Sequence, residues 1–140
     1  MSKIRWEHFH HQADIGVRGF GQTVEHAFEE AALALIAVIT NPASVKPSEA
    51  VSIHCSSPDR ELLLADWLNS LIFEISTRRM LFSRFAVSIQ AQTLTATAWG
   101  EAIDLARHSP AVEVKGATYT ELAVRQQADE SWMAQCVVDV

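Results

Sequence analysis

The chain has 140 residues, of which 49% are hydrophobic and 20% charged. That length suits one domain over residues 1–140, able to bury a core without disulfide or metal staples. No apolar run nears the roughly 20 residues of a membrane helix. The opening Met1-Ser2-Lys3-Ile4-Arg5-Trp6-Glu7-His8 has no apolar signal segment, so a cytoplasmic protein is expected. There are 11 basic residues against 17 acidic ones, a formal charge of −6. Tight nucleic-acid binding needs a field of Lys and Arg that releases counterions. It is not expected here, whereas a basic protein partner would suit the surface. Cys55 and Cys136 stand far apart and outside any C-x-x-C, so both read as reduced thiols.

In chain order, Arg5 to His10 and Ile15 to Arg18 read as two strands able to pair, with Gly19 and Gly21 as breakers around Phe20. Thr23 is a candidate helix cap, with Glu25 in the first turn at the positive end of the dipole. Apolar residues then recur at Val24, Phe28, Ala31, Leu35 and Val38 until Asn41-Pro42 stops the pattern. The polar face of Glu25, His26, Glu29 and Glu30 fades into Ala and Ile, so the second half should be buried all round. Val51, Ile53 and Cys55 share one face of a strand. Ser57-Pro58-Asp59 reads as a cap, a proline at the first helical position and an early acid. The stripe Leu64, Trp67 or Leu68, Leu71 and Ile75 continues that second helix to Arg78-Arg79.

Two further strands are expected around Phe85, Val87, Ile89 and around Leu94, Ala96, Ala98. Tyr119 to Gln127 and Trp132 to Val140 form the last pair, joined around Ala128-Asp129-Glu130. Two long helices among about seven mostly hairpin-connected strands indicate an α+β fold, with helices covering one face of a largely antiparallel sheet.

No P-loop, G-x-G-x-x-G or G-x-S-x-G occurs, so the commonest nucleotide and hydrolase signatures are missing. Three segments could carry chemistry. His8 and His10 would share one side of a strand, a spacing that imidazole metal ligands use, and Asp14 could join them at a zinc ion. The other reading is a surface strand whose histidines bond to neighbours. The end of the sequence, Cys136-Val137-Val138-Asp139-Val140, offers a side-chain carboxylate beside a terminal one, hard oxygens suited to Ca²⁺ or Mg²⁺. It gains weight only if Asp14 lies beside it. Glu101, Asp104, His108, Glu113 and Lys115 could supply a general acid, a general base and an electrostatic group, or simply line a solvated edge. Trp67, Trp99 and Trp132 read as core or interface aromatics, since no basic groove accompanies them.

Taken in order, these segments resemble the archease family over nearly the full length. His11-Gln12-Ala13-Asp14-Ile15-Gly16 matches its opening motif, with Gln12 in place of the usual threonine. Thr23 to Ala32 resembles its first helix and Leu63 to Asn69 its second. Gly100-Glu101 with Asp104 and His108, then Glu113-Val114-Lys115 and Thr118-Tyr119, follow in family order, with Gly116 where alanine is common. Val138-Asp139-Val140 matches its closing triplet. The resemblance implies a strand-helix-strand-strand unit with a second one inserted. It also implies a non-enzyme that activates the RtcB-type RNA ligase of tRNA splicing and RNA repair, by promoting guanylylation of the ligase histidine and multiple turnover. The implied cofactor is a divalent metal, Ca²⁺ in the usual description with Mg²⁺ or Mn²⁺ as alternatives, held by Asp14, Asp139 and Val140. Glu101, Asp104, His108 and Lys115 are then a candidate docking surface for the ligase. Two other functions stay open: a chaperone or specificity factor for an RNA methyltransferase, and a small metal-dependent phosphoester hydrolase using Asp14, Asp104 and His108.

Overall fold

The computed structural model describes residues 5–140. Strands β1 (Trp6–His11) and β2 (Asp14–Gly21) form a hairpin, followed by helix α1 (Val24–Ile39) and a short 3-10 turn (Pro42–Ser44). Then come β3 (Glu49–Ser56), α2 (Arg60–Arg78), β4 (Met80–Gln90), β5 (Thr93–Ala102) and a single-turn helix α3 (Leu105–His108). The chain closes with β6 (Gly116–Ala117), β7 (Ala123–Gln126) and β8 (Trp132–Asp139). The expected α+β class holds, and every strand pairing is antiparallel.

The strands make two sheets rather than one. The first runs β1-β2-β8-β6, with β7 also on β8; the second runs β3-β5-β4. Within the first, β2, α1, β7 and β8 are a strand-helix-strand-strand unit whose last strand lies between the other two. Within the second, β3, α2, β4 and β5 repeat that arrangement and are inserted in sequence between α1 and β7. Helices α1 and α2 each touch strands of both sheets. A helix so placed must be apolar around its circumference. In α1, Ala27, Phe28, Ala31, Ala32, Ala34, Leu35, Ile36, Val38 and Ile39 are buried, as the fading polar face anticipates. Full burial of Phe28, Leu35 and Ile36 stabilises the fold by about 1.5–3 kcal/mol per side chain.

Local signals set most element boundaries. Thr23 caps α1 by accepting the His26 N–H at 3.1 Å. Asp59, not Ser57, caps α2: its Oδ1 accepts from the backbone N–H groups of Glu61 (2.7 Å) and Leu62 (3.2 Å). Pro58 therefore precedes the cap instead of opening the helix. Arg79 ends α2 in the left-handed conformation (φ 53°). The expected strand from Tyr119 shortens to β7, because Tyr119 to Leu122 forms a turn with Glu121 at φ 54°. Trp67 is fully buried; its Nε1–H donates to the Phe28 carbonyl at 3.0 Å, and its ring meets Phe85 edge-on at 6.0 Å. Trp99 and Trp132 sit under the guanidinium groups of Arg84 and Arg60.

Gly19 and Gly21 are not breakers. Both lie inside β2, where it runs against α1. A Cβ on Gly19 would stand 2.2 Å from the Ala31 nitrogen and 2.4 Å from the Ala27 carbonyl oxygen. The glycine is therefore needed for close approach of strand and helix. Gly19→Ala should force the two backbones apart and cost at least about 1–3 kcal/mol, the range for overpacked cores. Urea denaturation of the variant against the parent measures it, and an unchanged midpoint would refute the close-approach account.

Candidate functional site

The β1–β2 hairpin decides which histidines and acids can meet. Pairs His8↔Val17 and His10↔Ile15 point to one face of the sheet; Phe9↔Gly16 and His11↔Asp14 point to the other. Asp14 is thus separated from His8 and His10 by the sheet itself. His8 is also engaged, its Nε2–H donating to the Ala34 carbonyl at 2.7 Å. The zinc set of His8, His10 and Asp14 is not assembled. On the Asp14 face, the Arg18 guanidinium covers the Phe9 ring at 4.5 Å and bonds to Glu7 and to Gln135.

Asp14 has a different neighbour. Strands β2 and β8 pair through Ile15↔Val138, the residues next to Asp14 and Asp139 in the chain. The Val140 N–H points to Asp14 Oδ1 at 3.4 Å. Residues 126 positions apart are thereby brought side by side. The turn that starts β2 is made by Gln12, at φ 54°, and Ala13. From the other side, β6 pairs Gly116↔Asp139, and the Lys115 N–H donates to the Asp139 carbonyl at 2.8 Å. Asp139 is exposed, Asp14 and Val140 half-buried. Among the described residues neither carboxylate forms an ion pair, and no three His, Cys, Asp or Glu side chains gather in a metal-binding group. The set is two side chains and the main-chain oxygens beside them. Carboxylate and main-chain oxygens are the hard donors that Ca²⁺ and Mg²⁺ take. The donor chemistry therefore fits a hard metal.

Of the four docking candidates, Glu101, Asp104 and His108 come together and Lys115 stands elsewhere, beside Asp139. Glu101 is the hub. It accepts from Arg107 in a two-pronged pair (2.7 and 2.8 Å), from the Lys46 backbone N–H (2.7 Å) and from His108 Nε2 (3.0 Å). His108 is buried, and its Nδ1 accepts the Asp104 N–H at 2.9 Å. The ring proton is accordingly on Nε2, directed at Glu101. Asp104 caps α3 through the Ala106 and Arg107 N–H groups. Gly100 underlies this corner: a Cβ there would stand 1.9 Å from the Leu81 carbonyl oxygen. Arg107 and Lys46 were not expected in the cluster. Arg107 was legible as the one cation close behind Asp104, but Lys46 takes part through its backbone, which no side-chain pattern encodes.

Between the two corners, a groove of about 640 Å³ is lined by Ile39, Ile72, Ile75 and Ile103, with Arg79 and Lys115 among its polar residues. Both thiols are free. Burial pushes Cys136 up to about 12, and burial with the Asp66 charge pushes Cys55 up to about 11. Neither is a thiolate nucleophile near neutral pH.

The archease protein family model (MTH1598/TM1083) matches residues 6–140. The chain belongs to the archease family. It is 38% identical over 140 residues to the Pyrococcus furiosus protein archease, covering 97% of this chain and 99% of that one. Identity to the Methanosarcina barkeri protein archease is 37% over 141 residues, covering 97% and 96%. The solution structure of Methanobacterium thermoautotrophicum protein 1598 superposes with a TM-score of 0.86 at 34% identity, covering 99% of this chain and all of that one. An archease of Thermotoga maritima, described as a possible chaperone, shares the fold at a TM-score of 0.63 and 22% identity, with 94% of each chain covered.

The Arg107 guanidinium, then the Lys46 amide and His108, hold the Glu101 carboxyl well below its ordinary value of 4.5. A carboxyl depressed on folding stabilises the protein fully above its unfolded value and loses that contribution as pH falls through the folded one. Thermal midpoints of Glu101→Gln and the parent, measured from pH 7 to pH 2.5, should differ most above pH 4.5 and converge in acid. Parallel curves would show that Glu101 is not the charged hub.

Proposed function

We propose that this archease-family chain is a non-catalytic, divalent-metal-binding activator of an RtcB-type RNA ligase. It promotes guanylylation of the ligase histidine and multiple turnover in tRNA splicing or RNA repair. The observation that supports the reading is the approach of Asp14 Oδ1 to the Val140 N–H at the end of the β2–β8 pair, next to Asp139. These residues lie at the end of the β2–β8 pair, and among the described residues no cation forms an ion pair with Asp14 or Asp139.

Asp14, Asp139 and the main-chain oxygens of Val140 would hold the metal, Ca²⁺ by preference for flexible oxygen ligands, with Mg²⁺ or Mn²⁺ as alternatives. Bound there, the cation supplies positive charge and open positions for oxygens of a partner or its nucleotide. Lys115, tied through its backbone to Asp139, stands at the edge of this patch. The formal charge of −6 suits a cytoplasmic protein that meets a protein partner and makes no tight RNA contact. Glu101, Asp104 and His108 serve docking by holding the α3 corner in shape, since most of their polar atoms are bonded internally. The hydrolase alternative is less favoured, because Asp104 is engaged in capping α3 and His108 in bonds to Glu101 and the Asp104 N–H.

Multiple-turnover ligation by the cognate RtcB-type ligase tests the proposal, with this protein absent, intact, or carrying Asp14→Ala. Intact protein should raise turnover and the variant should not. Unchanged turnover with intact protein would refute the ligase assignment, and full activation by the variant would refute the metal role. Separately, Ca²⁺ at about 100 times its dissociation constant should stabilise the intact chain by about 2.7 kcal/mol. Asp14→Ala and Asp139→Ala should abolish that gain in a thermal-shift titration.

A further inference from the structure

We propose that Asn69 is a positioning residue for the carboxylate pair, acting through β6; the inference rests on the metal-binding reading above. Strand β6 is only two residues long and lies at a sheet edge, with no strand beyond it among the described residues. It nevertheless supports the site directly: Gly116 pairs with Asp139, Ala117 with Val138, and the preceding Lys115 N–H donates to the Asp139 carbonyl. Two residues of pairing are little to fix an edge. The missing support comes from α2. Asn69 Nδ2 donates to the Ala117 carbonyl at 3.1 Å, and the Ala117 N–H donates to Asn69 Oδ1 at 2.9 Å.

A carboxamide presents one donor and one acceptor in a plane, as a peptide group does. Asn69 thus takes the place of a neighbouring strand for Ala117, and it clamps β6 between helix α2 and β8. Thr118, next in the chain, donates from both its N–H and its hydroxyl to the Val137 carbonyl and carries the clamp further along β8. The backbone of Asp139 is then held on one side by β6, while the start of β2 brings up Asp14 on the other. Groups that orient metal ligands without touching the metal change affinity by roughly 10–100-fold when removed. Asn69 is exposed and its neighbours Trp67, Leu68 and Leu71 carry the helix packing, so losing its side chain leaves the core intact.

The experiment compares the intact chain, Asn69→Ala and Asp14→Ala by calorimetric titration with Ca²⁺ alone, alongside unfolding midpoints and amide hydrogen exchange without metal. Asn69→Ala should keep its midpoint, exchange faster at the Lys115 and Ala117 amides, and bind Ca²⁺ about tenfold more weakly. Unchanged affinity together with faster exchange would make Asn69 a structural clamp only and overturn the proposal. Unchanged exchange would overturn it as well, by showing that β6 does not depend on the clamp. Lack of Ca²⁺ binding by the intact chain would instead defeat the metal-binding reading, and this inference with it. The parent protein alone reports that failure.

Discussion

Helix α1 lies so close to β2 that no side chain fits between them at Gly19, and much of the molecule follows from that approach. Once the helix is seated on β2 and β8, its remaining faces are covered by β1 and β4 of the two sheets. It must then be apolar nearly all round, as it is from Ala31 to Ile39. The close contact also fixes β2 in depth and register. That register puts Asp14 opposite the end of β8 and turns His8 and His10 to the other face. A bulkier residue at position 19 would therefore disturb the candidate metal site from a distance, through the backbone and not through any ligand.

The second recurring device is the use of helix side chains to satisfy strand edges, which otherwise present unpaired peptide groups. Glu29 of α1 accepts the Val87 N–H of β4 at 2.8 Å, and Glu61 of α2 accepts the Val124 N–H of β7 at 3.2 Å. Asn69 does the same for Ala117 in both directions. Burial raises the Glu29 carboxyl above its ordinary value, with the Val87 bond opposing the shift. These contacts tie each helix to particular strands, so the helices set the geometry of the sheets as well as covering them.

The two corners differ in how their charge is satisfied. Around Glu101, an arginine, a backbone amide and a histidine all donate to one carboxylate and tie the end of β5 to α3. At the end of the β2–β8 pair, the Asp14 and Asp139 carboxylates have no ion pair among the described residues. The first arrangement is what stability demands. The second leaves hard oxygen donors without a described ionic partner at the end of a strand pair.

Most elements were legible because periodicity and caps act locally: Thr23 starts α1, Asn41-Pro42 stops it, and alternation marks β3, β4 and β5. The family resemblance implied a hard-cation ligand set, where spacing alone left zinc and a hard cation both open. Errors fell where a residue has two uses. Glycine reads as a breaker but here permits close packing at Gly19, and Ser57 reads as a cap that Asp59 supplies. Turns at Gln12, Ala91 and Glu121 adopt positive φ without glycine, so composition does not announce them. The division into two sheets, the opposition of His8 and Asp14 across the first sheet, and the approach of Asp14 to Val140 were decided by strand pairing. Pairing joins residues through backbone hydrogen bonds that are the same for every sequence, so which strands meet depends on how the whole apolar surface can be buried at once.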